Sequence, residues 1–315
     1  MSKPIMQIEN ITKKFPAFGG KFLTACDKVS LTINAGETIG IVGESGCGKS
    51  TVAKTILNMH APTNGKVLFR GKDITKLKGE ERRQNCRHIQ MVFQDPTAAF
   101  NPKMKIGNII CEPLLNFNLI KKFQIKEKAQ ELLHLVDLPP DFVDRYPHNM
   151  SGGQRQRVAI ARALALEPEI IVCDEATSAL DVSVQAKIIE LLVKLQKEKG
   201  ITYIFICHDL ALVSLFAHRV VVMYLGNVVE KIDGDKLEKA KHPYTKALLK
   251  AVFSVDEEKN QQIEILTGEI PSPLDLPVGC PFQNRCRYCR DICKEIKPQL
   301  EEIEENHFVA CHLQE

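Results

Sequence analysis

Four stretches of this 315-residue chain place chemically useful residue types at useful spacings. The first is Gly43-Glu-Ser-Gly-Cys-Gly-Lys-Ser50. Its glycines (Gly43, Gly46, Gly48) let the backbone turn and aim N–H groups inward as an anion nest. A helix opening at its end adds the partial positive charge of a helix N-terminus. Lys49 can reach the β- and γ-phosphates of a nucleoside triphosphate, and the Ser50 hydroxyl can ligate Mg²⁺. With Glu44, Ser45, Cys47 and Thr51 the run fits G-x-x-x-x-G-K-[ST], a phosphate-binding loop. The bland alternative is a Gly-rich strand-to-helix turn. It accounts for the glycines but not for the Lys-Ser pair between a strand and a helix.

The second stretch is Ile170-Ile-Val-Cys-Asp-Glu175, four apolar residues that end in two acids. Strand ends are where open α/β sheets place ligands. Asp174 is placed to hold Mg²⁺, directly or through water, and Glu175 to polarise an attacking water. The third is Ser151-Gly-Gly-Gln154 ahead of a helix. A capping box accounts for Ser151 and Gln154. Two adjacent glycines, Gly152 and Gly153, suggest close approach of backbone to phosphate as well. The fourth is a cysteine cluster: 5 of the 11 Cys, namely Cys280, Cys286, Cys289, Cys293 and Cys311, fall in the last 36 residues.

The elements that must position these residues read as alternating strands and helices. Strand patterns fall at Thr38–Val42, Lys66–Phe69, Ile89–Phe93, Ile170–Cys173, Thr202–Cys207 and Val220–Tyr224. Helical periodicity is clearest over Val182–Lys199. The pattern predicts an α/β fold with a largely parallel sheet. From about 96 to 150 the strand signal disappears, and Ile106–Leu115 and Ile125–Val136 read as helices of an insert. The hydrophobic fraction of 44% and charged fraction of 26% exclude a disordered or rod-like chain. A net charge of +3 gives no reason to expect nucleic acid. That figure averages unlike parts, because from Asp256 onward 6 Lys/Arg face 13 Asp/Glu. The longest apolar runs, such as Val220–Leu225, fall far short of the roughly 18 residues of a membrane span. The N-terminus lacks the pattern of a secretory signal, so a cytosolic chain without disulfides is expected.

Taken together, these motifs resemble the ATP-binding-cassette (ABC) ATPases. Met150 through Gln154 resembles the family's LSGGQ signature, with Met150 in place of leucine. Gln94 resembles the Q-loop glutamine, Ser178-Ala-Leu-Asp181 the D-loop, His208 the switch histidine, and Phe15 the aromatic that stacks on adenine. Ala176 stands where a proline usually follows the acidic pair. The resemblance implies ATP and Mg²⁺ as ligands, with Ser50, Gln94 and Asp174 around the metal. It assigns Glu175, His208 and Gln94 to catalysis. It also implies head-to-tail dimerisation, in which Ser151, Gly152 and Gly153 serve ATP bound to the partner.

Within that family, Gln90–Pro96, Asn101–Met104, Arg145–His148 and Met223–Gly226 resemble the oligopeptide, dipeptide and nickel importers. In the tail, His242-Pro-Tyr244, Gly279–Phe282, Arg285-Cys286, Cys293 and Val309–His312 match the same subfamily. Asn-Pro-Lys-Met is similar to the F-type of its two ATPase subunits. The implied partners are a second ATPase subunit, two membrane-spanning permease subunits and, through them, an extracytoplasmic binding protein. The implied place is the cytoplasmic face of the membrane, with nickel or a metal chelate as the alternative cargo to peptides. A soluble ABC ATPase acting on DNA or ribosomes usually carries long insertions or two cassettes, which this chain lacks. Cys280, Cys286, Cys293 and Cys311 can hold a [4Fe–4S] cluster or Zn²⁺, or remain free thiols. Cys289 leaves the fourth ligand open. The expected organisation is an ABC ATPase domain over 1–233, with a mixed-sheet core and the helical insert, followed by a Cys-rich C-terminal region over 234–315.

Overall fold

The computed structural model describes residues 3–178, 180–253 and 271–313. The start of the acidic stretch counted from Asp256, and Ala179 between Ser178 and Asp181, lie outside the described residues. The elements run β1 (Pro4–Pro16), β2 (Phe22–Asn34), β3 (Thr38–Val42), α1 (Lys49–Ile56), β4 (Asn64–Phe69), β5 (Lys72–Asp73), α2 (Gly79–Asn85) and β6 (Ile89–Val92). They continue with α3 (Pro96–Ala99), α4 (Ile106–Asn116), α5 (Ile125–Leu135), α6 (Gly152–Leu164), β7 (Ile170–Asp174), α7 (Val182–Lys199), β8 (Thr202–Cys207) and α8 (Leu210–Ser214). The last are β9 (Arg219–Tyr224), β10 (Asn227–Asp233), α9 (Pro243–Phe253), α10 (Asp291–Glu295), β11 (Glu301–Glu304) and β12 (His307–Val309). The chain forms two compact units, Met1–Lys76 with Cys207–Glu315, and Leu77–Ile206.

The first unit holds two sheets. One is four-stranded and antiparallel throughout, in the order β2-β1-β4-β5. The expected mixed-sheet core is present, and β1 and β2, which precede Thr38, are strands without a strand pattern in the sequence. The reason is visible in the register. β1 buries Met6 and Ile8, then shifts phase and buries Ile11 and Thr12. A bulge moves the apolar set to the other alternation, which breaks the period-2 signal. In the second sheet, β3 pairs in parallel with β9. Every residue of β3 is buried, as expected of a strand covered on both faces. β9 and β10 form an antiparallel hairpin. Its two-residue turn, Leu225-Gly226, has φ of 43° and 79°, the left-handed pair that suits a hairpin's twist.

The tail belongs to this unit. β12 pairs with β10, and β11 with β12. Glu230 on β10 is fully buried. Its carboxylate accepts the Lys241 N–H at 2.7 Å and the His242 N–H at 3.2 Å, and lies 2.8 Å from His307 Nε2. One acid thus meets groups from the approach to α9 and from β12, as a buried polar group requires. His242 is itself buried, and desolvation pushes its pKa down to about 3. It is therefore neutral, and its Nδ1 accepts the Tyr244 N–H at 3.1 Å.

The second unit packs helices on the parallel strands β6, β7 and β8. The helices α4, α5 and α6 bury Ile109, Ile110, Leu114, Leu132, Leu133, Ile160, Ala161 and Leu164. Their apolar residues recur at helical spacing, which is the stripe that such packing needs.

Candidate functional site

In the first unit the phosphate loop leaves β3 and enters α1. Gly43 has φ of 158°, and a Cβ there would lie 2.2 Å from the Met223 carbonyl oxygen. Gly48, at φ 105°, would press a Cβ to 2.1 Å from the Ala25 oxygen. Only glycine fits either place. The loop is also stitched to the β9–β10 turn. The Gly226 N–H donates to the Cys47 carbonyl at 2.9 Å, and the Asp27 N–H to the Gly226 carbonyl at 2.8 Å. Lys49 is buried, and its ammonium donates to the carbonyls of Gly43 at 2.7 Å and Glu44 at 3.0 Å. Burial raises the pKa of the Cys47 thiol, so this side chain fills space rather than carrying charge. Ser45 and Gly46 are exposed, while Ser50 and Thr51 are half-buried at the start of α1.

Two other expected residues share this unit. Phe15 lies on β1, edge-on to His60 with 5.7 Å between ring centres, and the Lys13 ammonium sits 5.0 Å from its ring. His208 follows β8 and is exposed. Asp209, beside it, caps α8 by accepting the Leu212 N–H at 3.1 Å.

The second unit gathers Gln94, Asp174, Glu175, the signature and Asp181. β7 is buried over Ile170–Cys173, where burial pushes the Cys173 thiol up to about 12, and it delivers Asp174 and Glu175 at its end. Glu175 has φ of 49°, in the left-handed region that costs a non-glycine residue energy. Hydrogen bonds on both sides hold it there, among them the Ser178 N–H donating to its carbonyl at 3.1 Å. The Glu175 N–H donates to the Ile206 carbonyl at 2.9 Å, and its own carbonyl also accepts the Ser178 hydroxyl at 3.0 Å. Gln94 Nε2 in turn donates to Ser178 Oγ at 3.3 Å. Ser178 therefore connects Gln94 to the backbone of Glu175, a link that the sequence spacing did not reveal.

The capping box at Ser151 is present. Ser151 Oγ accepts the Gln154 N–H at 3.3 Å, and Gln154 Oε1 accepts the Ser151 N–H at 2.9 Å. Gly153 has a packing reason as well: a Cβ there would lie 2.4 Å from Val184 of α7. Gly152 has more room, 3.4 Å from Leu180. Asp181 caps α7, accepting the Val184 N–H at 3.0 Å and the Ser183 hydroxyl at 2.7 Å. These hydrogen bonds, the Val184 N–H first, hold its carboxyl below the usual range.

The C-terminal thiols lie in the first unit. Among the described residues no group of three or more His, Cys, Asp or Glu is placed to hold a metal ion. Cys280, Cys293 and Cys311 are buried, and Cys286 and Cys289 half-buried. Burial pushes the Cys280 pKa up to about 12, and the neighbouring Cys293, Cys311 and Cys286 raise it further. Burial likewise raises the pKa of the Cys286, Cys289 and Cys311 thiols.

Local spacing also does not reveal two residues of the tail that hold the phosphate loop. Tyr244 Oη accepts the Glu44 N–H at 2.9 Å, and Arg285 holds the Glu44 carboxylate at 2.7 and 3.1 Å. They had stood out only as subfamily markers. Nothing in local spacing could have joined residues so far apart in the chain.

The comparisons with known proteins agree with this geometry. Residues 26–178 match the family model described as ABC transporter, and residues 229–293 the one described as oligopeptide/dipeptide transporter, C-terminal region. The oligopeptide transport ATP-binding protein AppF of Bacillus subtilis (strain 168) is 47% identical over 319 residues, covering 98% of this chain and 97% of that protein. The chain belongs to the ABC transporter ATP-binding family. Its branch is the one with the oligopeptide/dipeptide C-terminal region. A second relative, the oligopeptide transport ATP-binding protein OppF of Haemophilus influenzae, is 47% identical and covers 92% of this chain and 88% of its own. Among solved structures, the dimeric post-hydrolysis state of the ATP-binding cassette MJ0796 bound to ADP and Pi is similar. It has a TM-score of 0.66, is 33% identical, and covers 72% of this chain and 98% of that one. The enzyme class follows from the family: ATP hydrolysis coupled to transport. Among the described residues no helix is long and apolar enough to cross a membrane.

Proposed function

We propose that this chain powers the import of oligopeptides or dipeptides, as the F-type ATP-hydrolysing subunit of an ABC importer. It pairs with a second ATPase subunit at the cytoplasmic face of two permease subunits, which receive cargo from an extracytoplasmic binding protein. The observation that carries this reading is likeness along nearly the whole chain, tail included, to oligopeptide transport ATP-binding proteins.

In this reading the loop from Gly43 to Thr51 wraps the triphosphate, and Lys49 exchanges loop carbonyls for phosphate oxygens. Ser50, Gln94 and Asp174 hold Mg²⁺, which neutralises charge on the phosphates. Glu175 takes the proton of the attacking water, His208 holds that water and the γ-phosphate, and Phe15 stacks on adenine. Ser151, Gly152, Gly153 and Gln154 reach the triphosphate bound by the partner subunit, near Asp181. Loss of the shared γ-phosphate then separates the pair. Supporting the assignment of Glu175 is its fixed backbone, pinned on both sides by hydrogen bonds.

A [4Fe–4S] cluster or Zn²⁺ on Cys280, Cys286, Cys293 and Cys311 is supported by the spacing of the four thiols and by the resemblance to the importer subfamily. Iron, sulfide and zinc analysis of anaerobically purified protein decides it.

The transport reading is tested by reconstituting the chain with its partner ATPase and permease in vesicles. Peptide-loaded binding protein is expected to stimulate ATP hydrolysis and peptide uptake. Stimulation by nickel but not by peptide would overturn the cargo assignment. ATP turnover indifferent to both would overturn the transport role.

A further inference from the structure

Arg285 and Tyr244 converge on one residue of the phosphate loop. The Arg285 guanidinium makes a two-pronged ion pair with Glu44, at 2.7 and 3.1 Å, and its side chain is only 6% exposed. Two parallel N–H···O bonds fix both groups' orientation as well as their separation. The Tyr244 hydroxyl accepts the Glu44 backbone N–H at 2.9 Å, so both the side chain and the backbone of Glu44 are held.

The two clamping residues are themselves rigid. Tyr244 is fully buried, and its ring lies 4.8 Å from Tyr224 and 5.4 Å from Phe282, with Tyr224 and Phe282 5.2 Å apart. The Arg285 guanidinium lies 5.9 Å from the Tyr224 ring. Its pKa is raised, first by the hydrogen bonds to Glu44, so the cation is permanent. Tyr224 ends β9, whose Met223 carbonyl bars a side chain at Gly43. One aromatic cluster thus backs the loop and anchors its clamp.

Electrostatics gives the clamp a purpose beyond shape. A carboxylate within a loop that binds a polyanion works against it. Arg285 neutralises that carboxylate and keeps it turned to the tail. We propose that Arg285 and Tyr244 are positioning residues for MgATP: through Glu44 they hold the phosphate loop in its binding shape and cancel its one negative side chain. The tail is then a working part of nucleotide binding. This proposal rests on the ATP-site reading above.

The test uses the full-length chain, equilibrium titration with a fluorescent ATP analogue and steady-state ATPase kinetics. Arg285→Ala is expected to raise Kd and KM for MgATP about tenfold, with kcat within about twofold. The loss should shrink at high salt, because it is a charge effect. Arg285→Lys should recover part of the affinity. The decisive variant is Arg285→Ala combined with Glu44→Gln, which should bind more tightly than Arg285→Ala alone. A merely structural role predicts the opposite, since both partners would be lost. Tyr244→Phe keeps the ring cluster and removes only the acceptor, so a rise of about threefold is expected.

Folded Arg285→Ala with unchanged Kd would overturn the clamp. If Arg285→Ala does not fold, unchanged Kd in both Tyr244→Phe and Glu44→Gln would do so. Lys49→Ala separates the two readings. If the natural chain and Lys49→Ala both fail to bind MgATP, the ATP-site reading falls and the clamp falls with it. If the natural chain binds and the clamp variants match it, the clamp alone falls.

Discussion

Paired glycines open two helices in this chain, α1 and α6, and meet different constraints there. At α1, Gly43 and Gly48 are pressed against other backbone, at Met223 and Ala25. Strand turns on either side dictate the loop's path, and Lys49 lies buried within it. At α6, Ser151 and Gly152 are exposed, and the free N–H groups of the helix start are capped locally by Ser151 and Gln154. Only Gly153 is constrained, by the Val184 side chain rather than by backbone. The same residue type thus meets two kinds of constraint. The first is fixed by the backbone packed around it. The second is held by side chains: its Ser151 and Gln154 N–H groups are occupied by the capping box, and Val184 presses on Gly153.

Variants can break or sharpen that contrast. The largest effect is expected from Glu175→Gln in the second unit, which should slow ATP turnover by about 10²- to 10⁴-fold while the first unit still binds nucleotide. Parallel titration and turnover assays check it, and turnover at the natural rate would remove Glu175 as the base. Next is Gly48→Ala. The positive φ and the clash with Ala25 should cost about 3 kcal/mol or more of stability, read by chemical denaturation. A cost below about 1 kcal/mol would mean that the loop is not fixed by that backbone.

Acid should separate the units further. His242 is neutral in the folded first unit with its pKa lowered to about 3, below the ordinary value of 6.5. Protonation therefore favours the unfolded chain. The stabilising effect of a neutral His242 is complete above pH 6.5 and falls by about 1.4 kcal/mol per unit below it. Melting curves from pH 7.5 to 5 check this, and His242→Asn should flatten the slope. The smallest effects fall at α6. Ser151→Ala should cost about 1 kcal/mol through loss of the cap. Ser151→Asp should keep the cap, because aspartate serves equally well there, yet lower ATPase activity by placing a carboxylate at the phosphate contact. Full activity in Ser151→Asp would reduce Ser151 to a cap.

Much of this was legible in the residues themselves. The phosphate loop is a local object: four fixed positions within eight residues, a strand and a helix suffice to specify its turn. Val182–Lys199 shows the same directness, with the observed helix matching its periodicity. β1 and β2 escaped because bulges interrupt their alternation. The distant pairs escaped for a different reason. Glu44 with Arg285, and Glu230 with His307, join residues whose sequence neighbours say nothing of each other.

What the sequence determined alone, then, was the chemistry at each strand and helix end, because a turn, a cap or an anion nest is fixed by a few consecutive residues. Tertiary structure decided which backbone forbids a side chain at Gly43 and Gly48, which acid the tail satisfies at Glu230, and which charge Arg285 cancels. Each of these depends on distances between residues that only folding brings together, and burial then sets their energies.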